Sequence, residues 1–358
     1  MTIVEFFDDE AIDNAMGTML LRPERTVFLY TGDKNLAFFN SLAKILKKRN
    51  IECELIGAKI DLSSIESAKA KIEEIIKKYP DCDFDIAGGS DEMLVAIGLT
   101  AKEYSLPLHS VNVRKQTVVS VNSQRTYSVQ PVSLTVDELI QLHGGSSGKE
   151  NTIKETYTWE RDIESEKDIE KVWNICRQDP GAWNAAIGTL SGYRTDKKSV
   201  LTMIWAKLKK DGLVRKDNLG VRYKNEVVRY LLGKQGTALE MFTYIAAKES
   251  GFFDDGQSGI IIDWKGKREV ENEIDVLLTH GAEGYFISCK NGMVDSDELY
   301  KLSTVAKRFG GKYAKKILVI SKFEPDRSFM ERAAEMDIKV IKNVRYLKRA
   351  DFAKRLIG

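Results

Sequence analysis

In the first 125 residues, short β-rich runs alternate with amphipathic helical stretches, the pattern of a parallel sheet with helices on its faces. The runs TIVEFF, RTVFLYTG, IECELIGAKI, FDIAGG and LHSVNVRKQTVVSV read as strands. Between them, LAFFNSLAKILKKR, SIESAKAKIEEIIKKY and DEMLVAIGLTAKEY repeat apolar positions at three-to-four spacing, which gives a helix one face to bury. A doubly wound, Rossmann-like α/β sheet is the expected fold of this half. Ligands of such sheets bind outside the carboxyl ends of the strands.

A chain of 358 residues exceeds what one hydrophobic core usually organises, so two domains are expected, with a small connecting module. The stretch QLHGGSSGKENT, residues 141–152, is rich in glycine and serine, lacks periodicity and reads as a flexible linker. Residues 165–235 read as mainly helical until KLKKDGLVRKDNLGVRYKN, where two short extended runs flank the turn Asp217-Asn218-Leu219-Gly220 in a winged-helix-like pattern. From residue 236 the order becomes helix, three strands, helix, strand, with a closing helix and strand. The three strands are separated by short turns and are expected to form an antiparallel meander. The predicted division is 1–145, 146–235 for linker and winged-helix-like region, and 236–358.

Composition excludes several classes of function. Hydrophobic residues make up 43% and charged residues 30%, and no apolar run approaches a membrane span. The opening MTIVEFFDDE is a strand followed by acids rather than a basic, apolar leader, so a cytoplasmic location is expected. Cys53, Cys82, Cys176 and Cys289 form no CxxC pair, which argues against a zinc knuckle or a disulfide framework. His109, His143 and His280 are too scattered for a histidine metal site or a hydrolytic triad. Catalysis must therefore rest on carboxylates and lysines. The net charge of +2 balances 55 basic against 53 acidic residues, so any nucleic-acid surface must be local.

In the C-terminal half, alternation along GYFISCKNG puts Ser288 and Lys290 on one face and Ile287 and Cys289 on the other. On the preceding strand Glu271, Glu273 and Asp275 share a face, and Asp275 is flanked by Ile274, Val276 and Leu277. A carboxylate in so apolar a strand is expensive to desolvate unless a cation compensates it, and Mg²⁺ or Mn²⁺ does so directly. An acid–lysine pair on neighbouring strands is, taken alone, most often a salt bridge. The element order and the helix acid Glu240 weigh against that reading here.

GTALEMFTY, ENEIDVLLT and YFISCKNG, in the order αβββαβ, resemble the PD-(D/E)xK nuclease superfamily, and within it the CARF-domain nucleases that accompany type III CRISPR systems. The resemblance implies a restriction-endonuclease-like domain in which Glu240 and Asp275 hold Mn²⁺ or Mg²⁺ and Lys290 assists the attacking water. The chain departs from the pattern at Ser288, which stands where the second acid is usual; Glu240 with the main chain, or Glu273, is left to complete the coordination. Glu298 on the following helix is a further candidate for the pocket. In the run AKRFGGKYAKK, the basic residues Lys307, Arg308 and Lys312 are candidates for the phosphate backbone of a nucleic acid, although solvated lysines are commonly no more than surface.

In the N-terminal half, Thr31-Gly32-Asp33-Lys34 and Gly88-Gly89-Ser90-Asp91 follow predicted strands, where glycines let backbone N–H groups approach a phosphate. Gly, Ser and Asp at such turns are also ordinary helix caps. The resemblance implies a homodimer that holds a cyclic oligoadenylate, expected to be cyclic tetra-adenylate, and that cuts DNA or RNA. Two rivals stand beside it: a non-catalytic nucleic-acid-binding regulator of CARF type, and a repair or restriction nuclease with no ligand sensor.

Overall fold

The computed structural model describes residues 1–32, 36–147, 163–190, 198–218, 220–263 and 271–358. The chain divides into two compact units, one of Met1–Gly145 with Gly281–Glu283 and Gly311–Tyr313, the other of Ser146–His280, Gly284–Gly310 and Ala314–Gly358.

The first unit is built on strands β1 (Thr2–Phe6), β2 (Arg25–Tyr30), β3 (Glu54–Lys59), β4 (Cys82–Asp85), β5 (Leu108–Asn112) and β6 (Thr117–Ser120). Their order is β3-β2-β1-β4-β5-β6, parallel except for the antiparallel β5–β6 pair. This is the doubly wound, Rossmann-like sheet expected from the alternation. Val4 on the central β1 lies opposite Val27 and Phe84, and all three are fully buried. LHSVNVRKQTVVSV, read as one strand, is a hairpin, since the chain turns between β5 and β6 at Gln116, which takes φ 50°.

One helix of this unit, Ala11–Leu21, escaped the sequence reading. Every residue from Ala11 to Leu20 is buried, so the segment has no polar stripe and shows no helical period.

Beside it the sheet carries ionisable side chains in its interior. Fully buried Asp83 is compensated by His109 Nδ1 at 2.9 Å, the Tyr127 hydroxyl at 2.8 Å and Arg125 Nη1 at 3.0 Å. Glu5 has no such support, and neither carboxyl oxygen has a normal hydrogen-bond partner among the described residues. Burial, and then the neighbouring Asp85, Asp13 and Asp8, hold the Glu5 carboxyl well above its ordinary value of 4.5, against a weak approach of the Thr18 backbone. The folded state thus keeps a proton that the unfolded chain releases above about pH 4.5, so Glu5 withdraws stability as pH rises from there towards its folded value. Glu5→Gln is expected to stabilise the protein by roughly 1–3 kcal/mol at pH 8 and by little at pH 4. Urea unfolding at both pH values checks this, and an equal effect at each would refute it.

The second unit contains β7 (Ser146–Ser147), β10 (Asp255–Asp263), β11 (Glu271–His280), β12 (Glu283–Lys290), β13 (Lys315–Ile320) and β14 (Ile338–Ile341), in the order β14-β13-β12-β11-β10-β7. A separate hairpin pairs β8 (Val214–Asp217) with β9 (Gly220–Tyr223). β10 and β11 run antiparallel, and β12, β13 and β14 are parallel. Together with the helices Thr237–Glu249 and Ser296–Gly310 this is the restriction-endonuclease-like αβββαβ order. The connecting region folds as helices Ile163–Cys176, Pro180–Leu190 and Lys198–Lys210, the β8–β9 hairpin and helix Glu226–Leu231, a winged-helix-like arrangement.

Residues 141–152 do not form a linker throughout. Gln141 and Leu142 close the helix Val136–Leu142, and Ser146 and Ser147 pair as β7 with Asp263 and Ile262; residues 148–152 lie outside the described ones. Among the described residues no helix is long and apolar enough to cross a membrane.

Candidate active site

Alternation along β12 separates two chemistries. Tyr285, Ile287 and Cys289 join the apolar core beneath the helix Thr237–Glu249, where the Cys289 thiol lies 3.5 Å from the Thr243 hydroxyl. Ser288 and Lys290 face the other way, into a cavity of about 280 Å³ shared with Glu273, Asp275 and Glu298. Burial and then Asp275 hold the Cys289 thiol well above its ordinary value, which fits core filling rather than a nucleophile.

Asp275 is gripped from β12. Its Oδ2 accepts the Cys289 backbone N–H at 2.6 Å and lies 3.1 Å from the Ser288 hydroxyl. Burial nevertheless leaves its carboxyl above the ordinary range, against the lowering effects of Lys290 and these hydrogen bonds. Glu240, only 7% exposed on the first turn of its helix, is likewise raised, by burial and then by the charges of Asp275 and Glu273. Gly236 makes room for it, since a Cβ there would come within 2.7 Å of Glu240 Oε1. Burial pulls the Lys290 ammonium down, but Asp275 and Glu298 outweigh it and leave the group above its ordinary value. Its Nζ stands 2.9 Å from Glu298 Oε1.

The remaining predicted residues divide. Glu273 is exposed and paired with Lys234 at 2.9 Å, while still lining the cavity beside Asp275. Lys234 itself was missed by the sequence reading. Glu273 first, and then Glu240 and Asp275, hold it charged against burial, and its one sequence signal is its place just before the helix that carries Glu240. Lys307 and Arg308 are exposed on the last turn of the helix that begins beside Glu298, and the axial rise between those turns is roughly 14 Å. Lys312 belongs to the first unit, where its ammonium pairs with Asp13 and its backbone N–H donates to Glu10 at 2.9 Å.

At the carboxyl end of β2, Thr31 and Gly32 are exposed, while Asp33 and Lys34 lie outside the described residues. After β4, a Cβ on Gly89, at φ 100°, would meet Phe6 Cβ at 2.7 Å, so side chains are excluded there by packing on β1. The neighbouring Gly88 is crowded in the same way by Asp8. Ser90 caps the helix Asp91–Tyr104 by accepting the Met93 N–H. The Gly89 N–H points at Asp8, 3.4 Å away. A separate cavity of about 460 Å³ in this unit is lined by Asp13, Ser110, Asn112, Arg114, Lys312 and Tyr313 among others. Apart from Lys312, none of these residues stands in a motif that marks it in the sequence.

Two carboxylates beside a lysine offer hard oxygen donors suited to Mg²⁺ or Mn²⁺. The donor set fits such an ion, although among the described residues no group of three or more His, Cys, Asp or Glu side chains stands assembled around one point.

Residues 224–348 match the family described as the Card1-like endonuclease domain. No curated protein matches the chain in sequence. Among solved structures it is similar to protein VC1899 from Vibrio cholerae, with a TM-score of 0.78 and 18% identity over 99% of this chain and 96% of that one. It is similar also to Can2 from Sulfobacillus thermosulfidooxidans in complex with cyclic tetra-adenylate, with a TM-score of 0.74 and 17% identity over 99% of this chain and 98% of the other. The nuclease resemblance, drawn from three short motifs, is borne out for the endonuclease domain over residues 224–348, and the likeness to the two solved structures is one of fold.

Proposed function

We propose that the chain is a divalent-metal-dependent nuclease of the PD-(D/E)xK type, activated by a cyclic oligoadenylate, that cleaves DNA or RNA in type III CRISPR antiviral defence in the cytoplasm. The observation that carries this reading is the cavity lined by Asp275, Ser288, Lys290 and Glu298 in the segment similar to the endonuclease domain, with the buried Glu240 carboxyl within electrostatic reach of Asp275 and Lys290. Glu240 and Asp275 would hold Mn²⁺ or Mg²⁺, which supplies polarisation of the scissile phosphate and a more acidic bound water.

The side chains contribute the rest. The Cys289 N–H and the Ser288 hydroxyl fix the Asp275 carboxylate, so no reorganisation of that group is needed during the reaction. The Lys290 ammonium, held charged by its acidic neighbours, orients a water or neutralises charge on the phosphate as it develops.

The activator reading rests on the doubly wound first unit and on the similarity to a protein solved with cyclic tetra-adenylate. In this proposal the chain works as a homodimer, with domains at 1–145, 146–235 and 236–358, and the ring shifts it towards a cutting state by binding that state more tightly. Ring contacts are assigned to the turns Thr31–Lys34 and Gly88–Asp91.

The test is incubation of the purified protein with labelled single-stranded DNA, duplex DNA and RNA, in Mn²⁺ or EDTA, with and without cyclic tetra-adenylate. Cleavage that needs both metal and ring is the expected result. Binding without cleavage under every condition would make the chain a non-catalytic regulator. Metal-dependent cleavage indifferent to any ring would make it a repair or restriction nuclease.

A further inference from the structure

The role of Glu298 rests on the nuclease reading and extends it. Ser288 stands between two carboxylates, its hydroxyl 2.8 Å from Glu298 Oε1 and 3.1 Å from Asp275 Oδ2. A hydroxyl has one proton and can satisfy one of them at a time. Lys290 Nζ reaches the same Glu298 oxygen at 2.9 Å. Glu273 is taken up by Lys234, while Asp275 and Glu298 line one cavity with Lys290 and Lys301.

We propose that Glu298 supplies, from the helix Ser296–Gly310, the metal-binding carboxylate that β12 lacks at Ser288. The group is well placed for it. Glu298 sits in the first turn of its helix, where the backbone dipole favours a negative charge, and buried Leu299 and Leu302 anchor that turn. Its side chain is 19% exposed and lines the same cavity as Asp275, Ser288 and Lys290. Glu298 is engaged by Lys290 and Ser288 here, and a bound ion would take the place of those partners at its carboxylate, leaving the Lys290 ammonium to face a substrate phosphate. Ser288 then serves as spacer: a hydroxyl leaves room for a carboxylate arriving from the helix, whereas an acid at this position would crowd and repel it.

The experiment measures Mn²⁺ binding to the full-length protein by calorimetry, without activator or nucleic acid. Wild type is compared with Asp275→Asn, Glu298→Gln and the double variant Ser288→Asp with Glu298→Gln, each checked for folding by its thermal melt. Glu298→Gln is expected to weaken Mn²⁺ binding by roughly tenfold to a hundredfold, and adding Ser288→Asp to recover most of the loss, because the acid returns on the strand. Normal Mn²⁺ binding by Glu298→Gln, with loss in Asp275→Asn, would overturn the inference and leave the nuclease reading standing. Failure of the double variant to recover binding would also overturn it, leaving Glu298 as a partner of Lys290 and Ser288 only. If Asp275→Asn binds Mn²⁺ like wild type, the metal site itself is misplaced and both readings fall.

Discussion

Lys290→Ala is expected to lower cleavage by at least about a hundredfold to a thousandfold while the protein stays folded, and Asp275→Asn to do the same. The two groups serve chemistry more than packing. Lys290 is 31% exposed and makes its ion pair with Glu298 at a cavity wall, so its loss leaves no large void. Asp275 needs the asparagine form of the test. Its Oδ2 accepts the Cys289 N–H, and alanine would strand that donor at a stability cost of about 1–3 kcal/mol, confounding the result, whereas asparagine keeps an acceptor oxygen. Initial rates on a labelled substrate, with circular dichroism melts on the same preparations, separate loss of chemistry from loss of fold. Wild-type rates in both variants would mean that the catalytic centre lies elsewhere.

The largest expected stability effect lies in the packing behind the site. Phe242, on the helix that carries Glu240, stacks between Trp173 at 4.7 Å and Phe352 at 5.5 Å, with interplanar angles of 17° and 5°. Trp173 and Phe352 are almost fully buried, so removing the central ring leaves a cavity that its neighbours cannot fill by small movements. Phe242→Ala is expected to cost about 3–5 kcal/mol and to lower the melting temperature of the second unit by roughly 10 °C. Calorimetry on the intact chain measures this. A drop of no more than about 2 °C, below what a single kcal/mol produces in a unit of this size, would show that the stack is not part of the core.

Particular residues show why some of this was legible beforehand. Val4, Val27 and Phe84 belong to short β-branched and aromatic runs, and the burial that makes them core also makes them visible as strands. Asp275 was visible because a charge among Ile274, Val276 and Leu277 is anomalous in a strand, and desolvation makes such anomalies expensive. The helix Ala11–Leu21 was invisible for the opposite reason, since burial on all sides removes the contrast that periodicity needs. In LHSVNVRKQTVVSV the turn hid because Gln116, not glycine, adopts the left-handed backbone there.

Strand alternation and helical spacing are local regularities, read within a few residues, and they already assign the α/β class, the αβββαβ order and the sides of β12. Partnership among charges is not local. That Glu273 is taken by Lys234, that Glu298 reaches Ser288 and Lys290, and that Lys312 is neutralised by Asp13 almost three hundred residues away depends on segments distant in the chain packing together. A carboxylate's chemistry is set by the charges and water around it, and those neighbours exist only once the chain has folded.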